Sequence, residues 1–174
     1  MIIASVKRKE NIAEYLLYMF QIEDILRANN LDKDRIRINI VAKFEQPSEI
    51  MDEIRAWYDG LTDSMIEEGI KEKGHLKFVH DIIADLTRLH KKLLADPYEL
   101  KYIEQYNWAK RNIEDFRRKS NAADAGDIEV CLNGLYGFLI LKLQQKPISV
   151  ETAEAMQTFS NLLAMLAKRF RENR

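Results

Sequence analysis

Apolar residues recur at spacings of three and four along nearly the whole chain, and short polar breaks separate the runs. Residues 9–29 place Ile12, Leu16, Met19, Ile22 and Leu26 on one stripe, the signature of an amphipathic helix, with Asn29 and Asn30 as stop residues. Residues 32–44 fit two templates. Ile36, Ile38 and Ile40 alternate as in a strand, while Ile36, Ile40, Val41 and Phe44 share a helical face. Asp32 is a good N-cap and no second strand is available for pairing, so a helix is expected. Pro47 opens the next helix at its first turn, with Ile50, Ile54, Trp57, Leu61 and Met65 as its stripe and Gly69 or Gly74 as its end. Residues 75–95 give the cleanest heptad: Leu76, Val79, Ile83, Leu86, His90 and Leu93. Asp96 and Pro97 read as the N-cap and first-turn proline of a helix whose stripe is Tyr102, Tyr106, Ala109, Ile113 and Phe116. The stretch KSNAADAGD, residues 119–127, reads as loop throughout, with Asp127 as the cap of a helix over 128–145. Pro147 and Ser149 mark a turn before the last helix, about 150–171, which carries Met156, Phe159, Leu163, Leu166 and Phe170.

The pattern predicts an all-α protein: one domain over residues 1–174, a bundle of six or seven mostly antiparallel helices. Its centre is set by VCLNGLYGFLIL, residues 130–141, a run without charge between Glu129 and Lys142. A membrane-spanning helix needs about 20 apolar residues, so this run is too short. A short helix that is apolar all round belongs in a core, which makes 128–145 the expected central helix. Gly134 and Gly137 each cost about 1 kcal/mol there relative to alanine, a cost that close approach of another backbone would offset. They fit tight packing within the chain, a helix crossing at a dimer interface, or the wall of a small-molecule pocket. Asn133 adds weight to the pocket, since a buried amide left unmet costs about 1–3 kcal/mol.

Composition narrows the function classes. With 47% hydrophobic and 32% charged residues, the chain is a soluble globular protein of helical character. A domain of this length buries roughly 70% of its unfolded surface and needs no disulfide or metal to hold it. Cys131 is the only cysteine and cannot form an internal disulfide, which suggests a reducing compartment. Lys7, Arg8 and Lys9 follow the first apolar residues, the reverse of a signal peptide, so the expected location is cytoplasmic. A net charge of −1 offers no field to draw nucleic acid or an anionic membrane, and neither is expected as a partner.

Catalytic and metal chemistry find little support in the residues. His75, His80 and His90 read as lying on one helix at spacings of five and ten, whereas paired ligands need three or four, so no shared metal ion is expected. The single Glu72-x-x-His75 is half of what a di-iron bundle requires. His90, on the apolar seam, reads as a hydrogen-bonded core histidine. The chain has no Gly-rich phosphate loop, no Cys-x-x-Cys and no Gly-x-Ser-x-Gly. No acid, base and nucleophile set can be assembled, so no catalytic residue and no cofactor is assigned, and an enzyme is the least supported class.

The most unusual electrostatic feature is acidic. Residues 45–68 hold eight acidic side chains against Arg55 alone. Asp59, Asp63 and Glu67 form a like-charge ladder, each pair destabilising an isolated helix by about 0.2–0.5 kcal/mol. A basic partner would relieve it, either the cluster within 101–119 or a second copy in an antiparallel dimer. Trp108 lies off the apolar stripe among Glu104, Arg111 and Asp115, a placement common at interfaces.

The segments NIAEYLLYMFQIEDILRANN (11–30), EIRAWYDGL (53–61), EKGHL (72–76) and LYGFLILKLQQKPIS (135–149), in that order and spacing, resemble a family of helical proteins of about this length. That family is found mainly in anaerobic gut bacteria and is catalogued as a domain of unknown function. The resemblance covers nearly the whole chain and implies a bacterial cytosolic protein with one helical domain. It brings no activity, cofactor or catalytic residue.

Two functional readings follow. In the first, the chain is a non-enzymatic protein-interaction module and a homodimer, using Asp59, Asp63, Glu67 and Trp108. In the second, it is a small-molecule-binding bundle with a pocket beside residues 131–138, formed by Asn133, Gly134, Gly137 and His90.

Overall fold

Asn11 decides where the first long helix begins. Its side chain accepts hydrogen bonds from the backbone N–H groups of Ala13 and Glu14 at 3.1 and 3.2 Å, satisfying two donors that no helical carbonyl can reach. The computed structural model describes residues 2–120 and 122–173, the side chain of Ile2 excepted. Before Asn11 lies a short helix, α1 (Ile2–Glu10), that the periodicity did not announce. Among its described side chains Ala4 is buried, while Ile3 and Val6 stay exposed. The stretch expected as one helix over 9–29 is therefore the end of α1 and all of α2 (Ile12–Ala28).

Helix α2 stops where expected, because Asn30 and Leu31 adopt the left-handed conformation at φ 58° and 53°. Asp32 caps α3 (Lys33–Asn39), accepting from the N–H groups of Asp34 and Arg35. A 3-10 turn, Val41–Lys43, completes the segment. The helix expected over 32–44 is thus present in two pieces, and the alternating reading fails at Ile38, which is 71% exposed.

Pro47 precedes α4 (Ser48–Glu67). Its buried face is Ile54, Tyr58, Thr62 and Met65, turned partly away from the expected stripe, so that Trp57 and Leu61 are only partly buried. Every heptad position of the next helix is buried, on α5 (Lys77–Ala95) or at Leu76 just before it. Asp96 caps a turn rather than a helix, since its carboxylate accepts from Tyr98 N–H, and α6 (Leu100–Lys119) begins three residues after Pro97. The loop that follows includes Asn121, which lies outside the described residues. Then come α7 (Asp127–Leu143) and α8 (Val150–Glu172), the latter capped by Ser149.

The result is an all-α bundle of eight α-helices with no strand among the described residues. The helix beyond the six or seven expected is α1. Helices α6 and α8 run antiparallel: Asn112 meets Thr158 near one end and Glu99 meets Arg169 near the other. The short turn at 144–149 makes α7 antiparallel to α8 as well. Helices α6 and α7 therefore run in the same sense, an exception to the antiparallel rule for neighbours.

Helix α7 touches α2, α5, α6 and α8, and α8 touches α2, α5, α6 and α7, so the middle of the bundle is shared by the two rather than held by α7 alone. Only the first half of α7 is enclosed. Ile128, Val130, Cys131, Leu132 and Gly134 are buried, while every residue from Leu135 onward is partly or fully exposed. The last turns of α7 leave the core with α6 ending at Lys119 on one side and α8 starting at Val150 on the other. The apolar sequence continues past the point where the core stops.

Candidate functional site

The change in cover along α7 creates the most conspicuous surface feature. A groove of about 610 Å³ runs between the end of α6 and the start of α8, with α7 as its floor. Gly134, Gly137, Phe138 and Leu141 form that floor, Phe116 and Met156 add apolar walls, and Asn112, Lys119 and Thr152 edge the mouth. Asp115 at the rim is ion-paired to Arg118. Glu151, at the start of α8, has its carboxyl held below the ordinary range by its own backbone N–H and by Ser149. Beyond Phe138 a shallower groove of about 510 Å³ continues over Lys142, Ile148, Val150 and Ala153. Phe138 is the ridge between the two, and the Lys142 ammonium lies 4.3 Å from its ring centre. Val150, in the lining of this second groove, is 70% exposed, while Leu143, 60% exposed, points away from Leu141 on another side of α7.

The two glycines of this helix differ in environment. A Cβ on Gly134 would sit 2.8 Å from the Phe159 ring, so Gly134 accommodates a fully buried aromatic side chain rather than another backbone. A Cβ on Gly137 would meet nothing within 4 Å, and the residue is exposed. Both line the groove, as does Phe138. His90, which is buried, and Asn133, which is partly exposed rather than the buried amide expected, do not line it, so the residues expected to form one pocket are not brought together.

His90 belongs to a buried network at the start of α7. Its Nδ1 lies 2.7 Å from the Tyr102 hydroxyl and its Nε2 3.7 Å from Asp127. Tyr106 donates to the same carboxylate at 2.8 Å, and Arg117 pairs with it while donating through Nε to the Ala125 carbonyl. His90 first, then Tyr106 and Arg117, hold the Asp127 carboxyl well below the usual range against the opposing effect of burial. Burial, and then Asp127, push the Tyr106 hydroxyl up to about 12. Burial likewise holds Cys131 as a thiol. Asp127 was expected to cap α7, but the N-cap is Gly126, with no side-chain bond. Its carboxylate instead ties α5, α6 and α7 together, and His90 is the hydrogen-bonded core histidine that its seam position implied.

The acidic ladder is largely met within the chain, by a helix other than the one expected. Asp59 pairs with Arg37 and Asp63 with Lys33, both at 2.6 Å, so α3 supplies the cations rather than residues 101–119. Glu67 is exposed at the end of α4. Trp108 is 57% exposed on α6, the charged-face position that its spacing implied.

The histidines are not all on one helix, because His75 precedes α5. The connection folds His75 back so that its ring stacks on Phe20 at 3.9 Å and meets the His80 ring edge-on at 5.8 Å. Two rings that helical spacing would have separated are therefore neighbours. No group of three His, Cys, Asp or Glu side chains suited to a metal ion occurs among the described residues. His75 Nδ1 lies 2.5 Å from Glu23, a fully buried carboxylate that also accepts from Leu76 N–H at 2.9 Å. Arg27 donates to the carbonyls of Ile70 and Gly74, so α2 holds the whole connection between α4 and α5. Glu23 went unremarked in the sequence, although it stands four residues after Met19 and three before Leu26, on the apolar stripe itself. A carboxylate at such a position signals a buried acceptor.

No helix among the described residues is long and apolar enough to cross a membrane. Neither the curated proteins nor the solved structures contain a match to this chain. A family model does match it, over residues 1–174, under the description "Domain of unknown function (DUF4924)". With its whole length matched, the chain belongs to the DUF4924 family of proteins of unknown function.

Proposed function

We propose that this protein is a non-enzymatic interaction module, acting as one domain in the cytoplasm, and that its contact face is the uncovered half of α7 with the flanking ends of α6 and α8. One observation carries the reading. Phe138 and Leu141 share the groove face of α7 with Gly134 and Gly137, at helical spacings of three and four, and both are partly exposed, in a helix with no charge between Glu129 and Lys142. Apolar area kept in water forgoes about 25 cal/mol per Å², and a contiguous patch of this kind marks a contact surface. The acidic ladder adds less than expected, since α3 meets two of its three members. Trp108 is exposed on the same face of α6 as Asn112, Asp115 and Lys119, one turn before Asn112.

A small-molecule site in the same groove is the second reading. Its volume falls within the range of about 300–1,000 Å³ usual for such sites, and Gly134 and Gly137 lie at its floor. The interaction reading is preferred because the apolar surface continues past the groove, beyond Phe138, over Ile148 and Val150.

Site-specific photocrosslinking separates the two. A photoreactive residue at position 141, installed in the full chain and activated in cells of the source organism, should capture a discrete protein. The same residue at exposed position 88 on α5 should not. Equal labelling at the two positions, or none at 141, would contradict the proposal. A thermal-shift response to apolar probes that Gly137→Leu abolishes would favour the second reading.

A further inference from the structure

We infer that His75 and His80 form a two-histidine site for a borderline divalent cation of the zinc and copper class, on the connection that leads into α5. The inference is independent of the α7 face.

Glu23 is the first support. It is fully buried on α2, and His75 Nδ1 lies 2.5 Å from its carboxylate. A carboxylate can only accept, so it takes the Nδ1 proton, and the lone pair of the neutral ring is left on Nε2. Histidines that bind metals are held in this way, with one ring nitrogen on a carboxylate and the other on the ion. The carboxylate fixes the tautomer and the ring orientation and raises the basicity of the ligating nitrogen.

The placement of His75 is the second. Gly74 turns the chain at φ 95°, a conformation that other residues adopt only under strain. Arg27 donates to the carbonyls of Ile70 and Gly74, and Glu23 accepts from Leu76 N–H. Phe20 stacks on the His75 ring at 3.9 Å. His75 is therefore positioned before any ion arrives, yet its side chain keeps 23% exposure.

His80 is the third. Its ring centre lies 5.8 Å from that of His75, at 66° to it. With each ring nitrogen about 2.0–2.1 Å from a zinc ion, two imidazole centres on one ion lie about 5–6 Å apart. His80 is exposed on the first turn of α5, so its ring can turn toward the ion without disturbing the core. Lys77 is paired with Asp81 and Arg27 with Asp24, so neither brings an unmet positive charge. Imidazole nitrogen suits zinc, copper and nickel, whereas magnesium and calcium take oxygen. Glu23 is not itself a ligand, because His75 and Leu76 engage its two oxygens. No set of three ligating side chains occurs among the described residues, so water fills the remaining positions and the site is an open one.

Isothermal titration of the untagged full chain with Zn2+ tests the inference. The expected result is saturable binding of about one ion per chain, weakened at least about tenfold in His75→Gln and in His80→Gln. Glu67→Gln, at an exposed acid of α4, should leave it unchanged. His80 is exposed and takes no part in the Glu23 pair, so His80→Gln keeps the fold and reads the site alone. With Cu2+ in place of Zn2+, electron paramagnetic resonance should show couplings to two nitrogens in the wild type and to one in His80→Gln. Glu23→Gln should weaken Zn2+ binding about 10–100-fold while both couplings persist. The absence of saturable binding overturns the inference, as does a Zn2+ affinity indifferent to His80→Gln. A Glu23→Gln variant that binds as tightly as the wild type would overturn the role of the carboxylate.

Discussion

Gly134 and Gly137 sit less than one turn apart on the same helix, in the same apolar run, and they look alike in the sequence. In the structure they have opposite surroundings. Gly134 is buried beneath Phe159, with no room for even a methyl group unless the ring moves. Gly137 faces open space. The same contrast extends to the two halves of α7. The first half begins in a network that engages Asp127 from three sides, while the second is only partly covered, with Phe138 and Leu141 partly exposed and Leu143 60% exposed. Stability explains the first glycine and the first half. It does not explain the second glycine, which is the reason for assigning the second half to a partner.

Substitutions can break or sharpen this contrast. The largest effect should come from Gly134→Leu, which drives a large side chain into Phe159 and should destabilise the protein by about 3 kcal/mol in urea unfolding. Gly137→Leu should show no such loss. Equal losses at both positions would mean that Gly137 is packed after all.

Asp127→Asn comes next. It leaves Arg117 without its ion pair and weakens the acceptor for Tyr106, at a cost of about 2 kcal/mol near neutral pH. The pH dependence has a definite sign. The folded carboxyl titrates below its unfolded value, so its contribution is present above the unfolded value of about 4 and is lost as pH falls toward the folded one. The gap between wild type and Asp127→Asn should therefore be full above about pH 5 and close as pH drops toward 2. A gap independent of pH would remove Asp127 from the account of the first half.

Gly137→Ala should stabilise the monomer by about 1 kcal/mol in urea unfolding at low protein concentration, through helix propensity alone. Loss of stability there would reveal a packing role for the glycine. The smallest effect belongs to Lys33→Ala, which removes the exposed partner of Asp63. It should shift Tm by under about 2 °C at low salt and by nothing measurable at about 1 M salt. A larger shift would make the acidic helix a more demanding surface than its pairing with α3 suggests.

Much of the fold was legible in the residues because periodicity and capping agreed. Asp32 capped the helix expected of it, and the heptad from Leu76 to Leu93 was buried at every position. Periodicity failed where a buried position is a small residue, as at Ala4 of α1, and where a side chain had two uses, as at Asp127 and Asp96. The candidate site was legible only in part. The run from Val130 to Leu141 stood out, but a helix that is apolar all round looks the same whether its neighbours cover all of it or half. Cover depends on where α6 ends and α8 begins, which is a matter of tertiary placement. The meeting of His75 with His80, and of α3 with the acidic ladder, likewise came from chain reversals that spacing along one helix does not encode.

The most direct test of the account is amide hydrogen exchange along α7, followed as the native partner fraction is added. If the second half is the contact face, exchange at residues 137–143 should slow as that fraction is added while residues 128–134, already enclosed, should not change. Exchange at 137–143 that is fast and indifferent to the partner fraction would contradict the claim that this half of the helix is kept open for a partner.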